Sequence, residues 1–239
     1  MRLIVTGAAG RIATELIAEL AAEHELRLVD RLPVAGHPST QADLARRRGA
    51  WWKQVFTGAD AVVHLAAEPT PRAPWRLVLR NNVRATWNVL EAATRHGVPR
   101  VVFASSHWAV RGEELARAPA CYEVDGPKLD SNVAPRPVTP YGVSKGLGEM
   151  AGRCFVDAGQ LPAFVAVRIG SFNPSIPQTH EERRRWLAPC DARALFRRCL
   201  EAELTGGHVV YGVCAHPQSP YDLSHTRRLL GWEPPFFCD

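Results

Sequence analysis

The feature that most limits what this chain can fold into is its opening. A short apolar run, Arg2–Thr6, stops at Gly7, and after it Ile12, Leu16, Ile17 and Leu20 recur at helical spacing. A strand that turns through glycine into an amphipathic helix needs a sheet on which to bury that helix. The theme repeats: residues 26–29, 61–65, 100–104 and 163–167 read as further strands, with a long helix over 75–96 and another after Thr139. Such alternation predicts an α/β fold, a Rossmann-like doubly wound parallel sheet with helices on both faces. A chain of 239 residues, 46% of them hydrophobic, can bury one sizeable core, so a single domain over 1–239 is expected. Within it, 1–170 would form the Rossmann core and 171–239 a small, dependent substrate-facing lobe: a helix over 191–203, a strand over 208–211 and a last helix at Ser224–Leu230. Between residues 109 and 140 the chain is rich in Pro, Gly and Asp, shows no period, and reads as a long loop over the site.

The net charge of +5 is almost all arginine, since the only lysines are Lys53, Lys128 and Lys145. The arginines lie along predicted helix faces (Arg46, Arg47 and Arg48; Arg183, Arg184 and Arg185; Arg197 and Arg198), with no basic tract interleaved with aromatics. That pattern suits a solvated surface or acidic small-molecule substrates and argues against nucleic acid. Six cysteines, Cys238 among them, form no CxxC pair and no Cys/His ligand spacing, so no metal site and no disulfide framework are expected, and a reducing cytoplasm fits best. No charged segment precedes an apolar one at the start, and no run of about 18 apolar residues occurs, so no membrane association is expected.

Thr6-Gly7-Ala8-Ala9-Gly10-Arg11-Ile12-Ala13 has the spacing of a dinucleotide-binding turn with Ala at the third glycine position. Gly7 allows the tight turn, Gly10 lets backbone approach a pyrophosphate, and a small Ala13 lets helix and strand pack closely, with the free N–H groups of the helix start aimed at the phosphates. Asp30, at the end of the second strand, would accept hydrogen bonds from the adenosine ribose and repel a 2'-phosphate, which favours NAD over NADP; the neighbouring Arg31 could instead pair with such a phosphate.

Tyr141-Gly142-Val143-Ser144-Lys145 puts a phenol and an ammonium four apart, on one helix face. An adjacent ammonium favours the phenolate, which makes a usable general base. Taken alone the pair could be an amphipathic surface pair. Ser105-Ser106 closes a central strand, where a hydroxyl faces the crevice in which such sheets bind ligands, although two serines can also simply end a strand.

Taken together, 6–13, Asp30, Asp43-Leu44, His64-Leu65-Ala66-Ala67, Asn82, Ser105-Ser106, 141–145 and 230–234 resemble an extended short-chain dehydrogenase, the family of NAD-dependent epimerases and dehydratases. The resemblance spans nearly the whole chain. It implies NAD as cofactor, held by Gly7, Ala9, Gly10, Arg11, Ile12, Asp30, Asp43, Leu44, Leu65, Ala66, Ala67, Asn82, Tyr141, Lys145 and Ile169, with Asp43 at the adenine; without it, Asp43 is as well a helix cap. Tyr141, Lys145 and Ser106 would be catalytic. Within the family the chain is most similar to the short hexuronate dehydrogenases, over 102–106, 141–145, 167–171 and 230–234, which implies oxidation of a sugar or sugar acid at its anomeric carbon. Ser106, His107, Arg168 and Ser171 would face the substrate, with Arg168 pairing to its carboxylate. Position alone also allows Arg168 a structural, carboxyl-paired place.

The chain departs from those enzymes where they carry an Asn-His pair after the serines, for here stand His107-Trp108. Their substrate-contacting serine after the His-Leu strand appears as Pro69-Thr70, and the loop before Tyr141 is longer. His107 could contact substrate or pack under Trp108. Two other readings stay open: a sugar or nucleotide-sugar epimerase, reductase or dehydratase in a specialised biosynthetic pathway, against which a dehydratase's extra acid-base pair would have only Glu123, Asp125 and Asp130 in the loop to draw on, and an NAD-binding protein without turnover, against which both Tyr141 and Lys145 are present. By family resemblance a homodimer would form through the helices over 75–96 and 141–158; the small residues of the second helix could equally face the sheet.

Overall fold

The computed structural model describes residues 1–46 and 49–234, so Arg47, Arg48 and Cys238 lie outside the described residues. β1 (Arg2–Thr6) feeds through Gly7 into α1 (Arg11–Glu23), which returns the chain to β2 (Glu25–Asp30) and a short β3 (Ser39–Gln41). α2 (Trp51–Phe56) precedes β4 (Ala61–His64). A helix then runs as α3 (Trp75–Val78), a π-helical segment Leu79–Arg84, and α4 (Ala85–Arg95), before β5 (Arg100–Ser106). α5 (Arg111–Arg117) and the long α6 (Pro140–Asp157) lead to β6 (Ala163–Ile169). The chain ends through β7 (Ser171–Phe172), α7 (His180–Arg183), β8 (Trp186–Leu187), α8 (Pro189–Glu201), β9 (Gly206–Gly212) and α9 (Ser224–Leu230).

Among the described residues, seven parallel strands form one sheet in the order β3-β2-β1-β4-β5-β6-β9. Strand order reverses at β1, and a crevice opens there beyond the carboxyl ends of the strands. Side-chain alternation sorts each strand between two cores: Leu3, Val5, Val102 and Ala104 join α1 and α8, whereas Ile4, Val101 and Phe103 join α2, α4 and α6. β6 is buried along its whole length, as expected of a parallel strand covered on both faces.

α6 lies close on the sheet because its glycines face it. A Cβ on Gly148 would stand 2.4 Å from Cζ of Phe103, and one on Gly152 2.2 Å from Cζ of Phe164. The small residues of this helix therefore serve helix-sheet packing, the second of the two uses expected.

Several expectations need correction. The aperiodic stretch between 109 and 140 is not all loop, for it contains α5 and a 3-10 turn, Ala120–Tyr122. The buried residues of α5 are Gly112 and Glu114, so no apolar stripe announces it. Residues 171–239 are not wholly a lobe, because β9 completes the main sheet beside β6 and α8 packs on α1, where Arg193 and Arg197 reach Glu15 and Glu23 at 2.9 and 2.7 Å. β3, β7 and β8 are two or three residues long, too short to show a period.

Candidate active site

A cavity of about 530 Å³ follows the crevice from the glycine turn to the first turn of α6. At its head, Gly7 adopts φ 70°, and a Cβ there would stand 2.6 Å from the backbone N of Ala66. Only glycine lets the two chain segments approach so closely. Gly10 caps α1, whose first amides open on the cavity together with Ala9, Arg11 and Ile12. Asp30 braces this turn, its Oδ2 accepting from the Ala9 N–H and its Oδ1 from the Leu32 N–H, each at 3.0 Å. It also lines the cavity beside Arg31.

Asp43 and Leu44 line the same end, but no helix starts at Asp43, so it caps none: its Oδ1 accepts from the Ala45 N–H at 3.0 Å within a turn, and its Oδ2 pairs with Arg80. Leu65, Ala66 and Ala67 form the floor after β4. Beneath them His64 Nδ1 meets Thr6 Oγ1 at 2.6 Å and Nε2 meets Thr86 Oγ1 at 3.0 Å, and burial pulls its pKa down to about 3, so a neutral imidazole stitches β1, β4 and α4 together.

Asn82 does not reach the cavity. It donates to Ser144 Oγ at 2.9 Å and accepts from the Glu68 N–H at 2.7 Å, clamping the β4 loop to α6. Its neighbour Asn81 lines the cavity instead, and the Asn81 Nδ2 is buried without a protein partner. A buried amide donor left open in this way fits a bound group that carries acceptors. Both asparagines sit in the π-helical segment, and the family resemblance had marked only Asn82.

At the other end of the cavity, Thr139 caps α6 by accepting the Gly142 N–H at 3.1 Å, which sets Tyr141 in the first turn. Burial pushes the Tyr141 phenol up to about 12, opposed by a hydrogen bond with Ser106. Ser106 ends β5 and also accepts the Trp108 N–H at 3.3 Å. Lys145 donates to the Ala104 carbonyl at 2.6 Å and stands 5.5 Å from the centre of the Tyr141 ring, and burial brings its pKa down to about 7 against the pull of Glu149. Ser106, Tyr141, Lys145 and Ile169 thus share one wall of the cavity.

The substrate-side expectations fare differently. Arg168 is not free to bind a carboxylate: it is 1% exposed, and Glu149 already holds it bidentately at 3.0 and 2.8 Å. β6 runs through the core, so an arginine on it finds its partner inside, the structural alternative weighed for that position. His107 does not line the cavity. Its Nδ1 meets the Ile169 carbonyl at 3.3 Å, its ring packs 5.3 Å from that of Trp108, and burial and Arg185 lower its pKa to about 3. Ser171 spends its N–H on the Arg185 carbonyl at 2.7 Å, and Gly170 and Phe172 on either side of it form the cavity wall. Glu123, Asp125 and Asp130 also lie off the cavity.

Sequence reasoning missed a second buried charge cluster. Glu114, fully buried, accepts from Arg111, from Arg185 at 3.1 Å, from the Tyr122 hydroxyl at 2.8 Å and from the Tyr221 hydroxyl at 2.6 Å. Apart from Arg111, one helical turn away, those partners lie as far as 107 residues away in sequence, where no local spacing marks them.

Residues 3–195 match the NAD dependent epimerase/dehydratase family. The chain belongs to that family. This family member is 34% identical to an NAD-dependent glucose-6-phosphate dehydrogenase of Haloferax volcanii, with 97% of this chain and 92% of that one covered. It is 35% identical to a uronate dehydrogenase of Agrobacterium fabrum, over 98% of this chain and 84% of the relative. The crystal structure of uronate dehydrogenase from Agrobacterium tumefaciens superposes with a TM-score of 0.84 at 33% identity, covering 98% of this chain and 84% of that one. The family member is therefore an enzyme with a Rossmann-like fold and NAD as cofactor, and the cavity fits NAD. A glycine cradle that a Cβ would fill lies at one end, an unpaired buried amide along its length, and a phenol beside a lysine at the other end. Among the described residues no helix is long and apolar enough to cross a membrane.

Proposed function

We propose that this enzyme oxidises a sugar or sugar acid at its anomeric carbon, with Tyr141 as the general base. The observation that carries the reading is the meeting of Ser106, Tyr141 and Lys145 on one wall of a cavity whose far end is a dinucleotide turn. When bound, NAD would supply the hydride acceptor. Gly7, Gly10 and the α1 amides would hold its pyrophosphate, Asp30 the adenosine ribose hydroxyls, and Lys145 those of the other ribose. Ser106 orients the substrate hydroxyl toward Tyr141. The Tyr141 phenolate removes its proton while the Lys145 ammonium stabilises that phenolate, offsetting the burial that otherwise pushes the phenol to about 12. Uronate and glucose 6-phosphate, the substrates in the names of the two relatives, are the first candidates, and both are anionic aldoses.

The test is the near-ultraviolet absorbance of NADH on mixing protein and NAD with glucuronate, galacturonate, glucose 6-phosphate and neutral aldoses. NADH formation with one of them is expected, and silence across the panel with NAD bound would overturn the substrate class. We also propose that two copies pair through α4 and α6, where Trp87, Leu147 and Met150 remain exposed; a monomer mass by light scattering would overturn the pairing.

A further inference from the structure

One face of α6 carries Tyr141, Lys145 and Glu149 at successive turns. The first two belong to the proposed reaction, and the third is used by none of its steps. Glu149 is 6% exposed and fully engaged: Oε1 accepts the Ser105 hydroxyl at 2.5 Å and Arg168 Nε at 3.0 Å, and Oε2 accepts Arg168 Nη2 at 2.8 Å. Arg168 continues the tie, donating to the main-chain carbonyls of Ser131 at 3.4 Å and Val133 at 3.0 Å, with its guanidinium 5.8 Å from the centre of the Tyr211 ring. One carboxylate therefore joins α6 to β5, β6 and, through Arg168, to β9 and the segment that leads into α6.

A buried ion pair gives little net stability over apolar residues of the same size, so stability is a weak reason for this one. Two other effects follow from its place. Ser105 and Ser106 point to opposite faces of β5, so fixing Ser105 fixes the strand end that aims Ser106 at Tyr141. Lys145 is buried, with one proton spent on the Ala104 carbonyl, and an opposite charge one turn away on the same face favours its ammonium form.

The other charged or titratable groups on the packed elements do not replace Glu149. His64 and His107 are held near 3 and stay neutral, Tyr211 is raised to about 12, Arg80 pairs with Asp43, and Arg76 and Arg84 are exposed. Arg168 is the one buried cation of the group, and its charge is matched by Glu149 itself.

We propose that Glu149 is a positioning residue of the catalytic face, fixing Ser105 and so Ser106 in place and holding the charge of Lys145 that makes Tyr141 a base. Its effect on turnover rests on Tyr141 and Lys145 being the catalytic pair, whereas its effect on Lys145 does not.

The chain has only three lysines, so Lys145 can be titrated directly in the full-length protein by NMR with lysine labelled at Cε, its resonance assigned by loss in Lys145→Met. Wild-type Lys145 is expected to titrate near 7. Glu149→Gln should lower that midpoint by about 1 unit and move the alkaline limb of the kcat profile down with it. Glu149→Asp keeps the charge but shortens the reach to Ser105, so the Lys145 midpoint should stay near wild type while kcat falls about tenfold at unchanged KM for NAD. If Glu149→Gln does not fold, Arg168→Gln, which removes the cation that matches Glu149, should raise the Lys145 midpoint instead.

An unchanged Lys145 midpoint in either Gln variant overturns the electrostatic role, and unchanged kcat in Glu149→Asp overturns the positioning role. Should the wild type oxidise no sugar, the proposed function fails while the titration still decides this inference.

Discussion

The two ends of the cavity are built from opposite materials. The cofactor end consists of backbone and small side chains, with Gly7 against Ala66, Gly10 at the start of α1, and two carboxylates, Asp30 and Asp43, on the cavity wall. The substrate end is backed by buried charge, with Glu114 between Arg111 and Arg185, and Glu149 on Arg168. The first end turns the backbone amides of the glycine turn and the unpaired Asn81 amide toward the cavity, and the second spends its charged groups on one another. Binding of the cofactor and shaping of the reaction end are therefore separable by mutation, because residues without shared partners act independently.

The sharpest break lies where the ends meet. Tyr141→Phe should lower turnover by about 10²–10⁴-fold while leaving NAD affinity as in wild type; an unchanged rate with weakened NAD binding would move Tyr141 from base to cofactor contact. Next comes Glu114→Gln, which leaves two guanidiniums facing a neutral amide. A loss of about 3–5 kcal/mol is expected, read as a Tm drop on the order of 10 °C, with the NAD Kd of the folded protein unchanged. A changed Kd would show the two ends to be coupled.

Acid probes one histidine at each end. His64 and His107 have folded pKa values near 3, below their unfolded value, so between about 6.5 and 3 the unfolded chain binds more protons. Stability is complete above that window and falls as pH drops through it, by roughly 1.4 kcal/mol per unit for each histidine. Denaturant midpoints measured from neutral pH downward check this, and a flat profile would mean that the rings are not buried neutral. The smallest expected effect is at the open end: Asp30→Ala should weaken NAD about tenfold and narrow its advantage over NADP, with Tm little changed. An unaltered cofactor preference would leave Asp30 only its bracing of the Ala9 and Leu32 amides.

The same contrast explains what could be read from the sequence. That Gly7, Gly10, Tyr141 and Lys145 meet on one cavity was legible because it depends on spacing within one turn or one helix, and the alternation of strands and helices carried the sheet. Arg168 was misplaced because its partner, Glu149, stands 19 residues away on another element, and a strand-end arginine looks the same whether it faces inward or outward. α5 was missed because it buries a carboxylate where a pattern reader looks for leucine. Asn82 was expected and Asn81 was not because the family resemblance marked the first, and nothing in the sequence marked the second.

That π-helical segment has a consequence of its own. One extra residue in a helix turns everything beyond it by about 100° about the axis, like a gear advanced by a tooth. Within Leu79–Arg84 two adjacent asparagines have two separate tasks, Asn81 toward the cavity and Asn82 toward Ser144. Excising a single residue there would leave the helix intact as a helix and every other contact of the cavity wall unmutated. It would still rotate α3 against α4 and take either the Asn81 amide that lines the cavity or the clamp on α6 out of phase, so the site depends on a count of residues as much as on their identity.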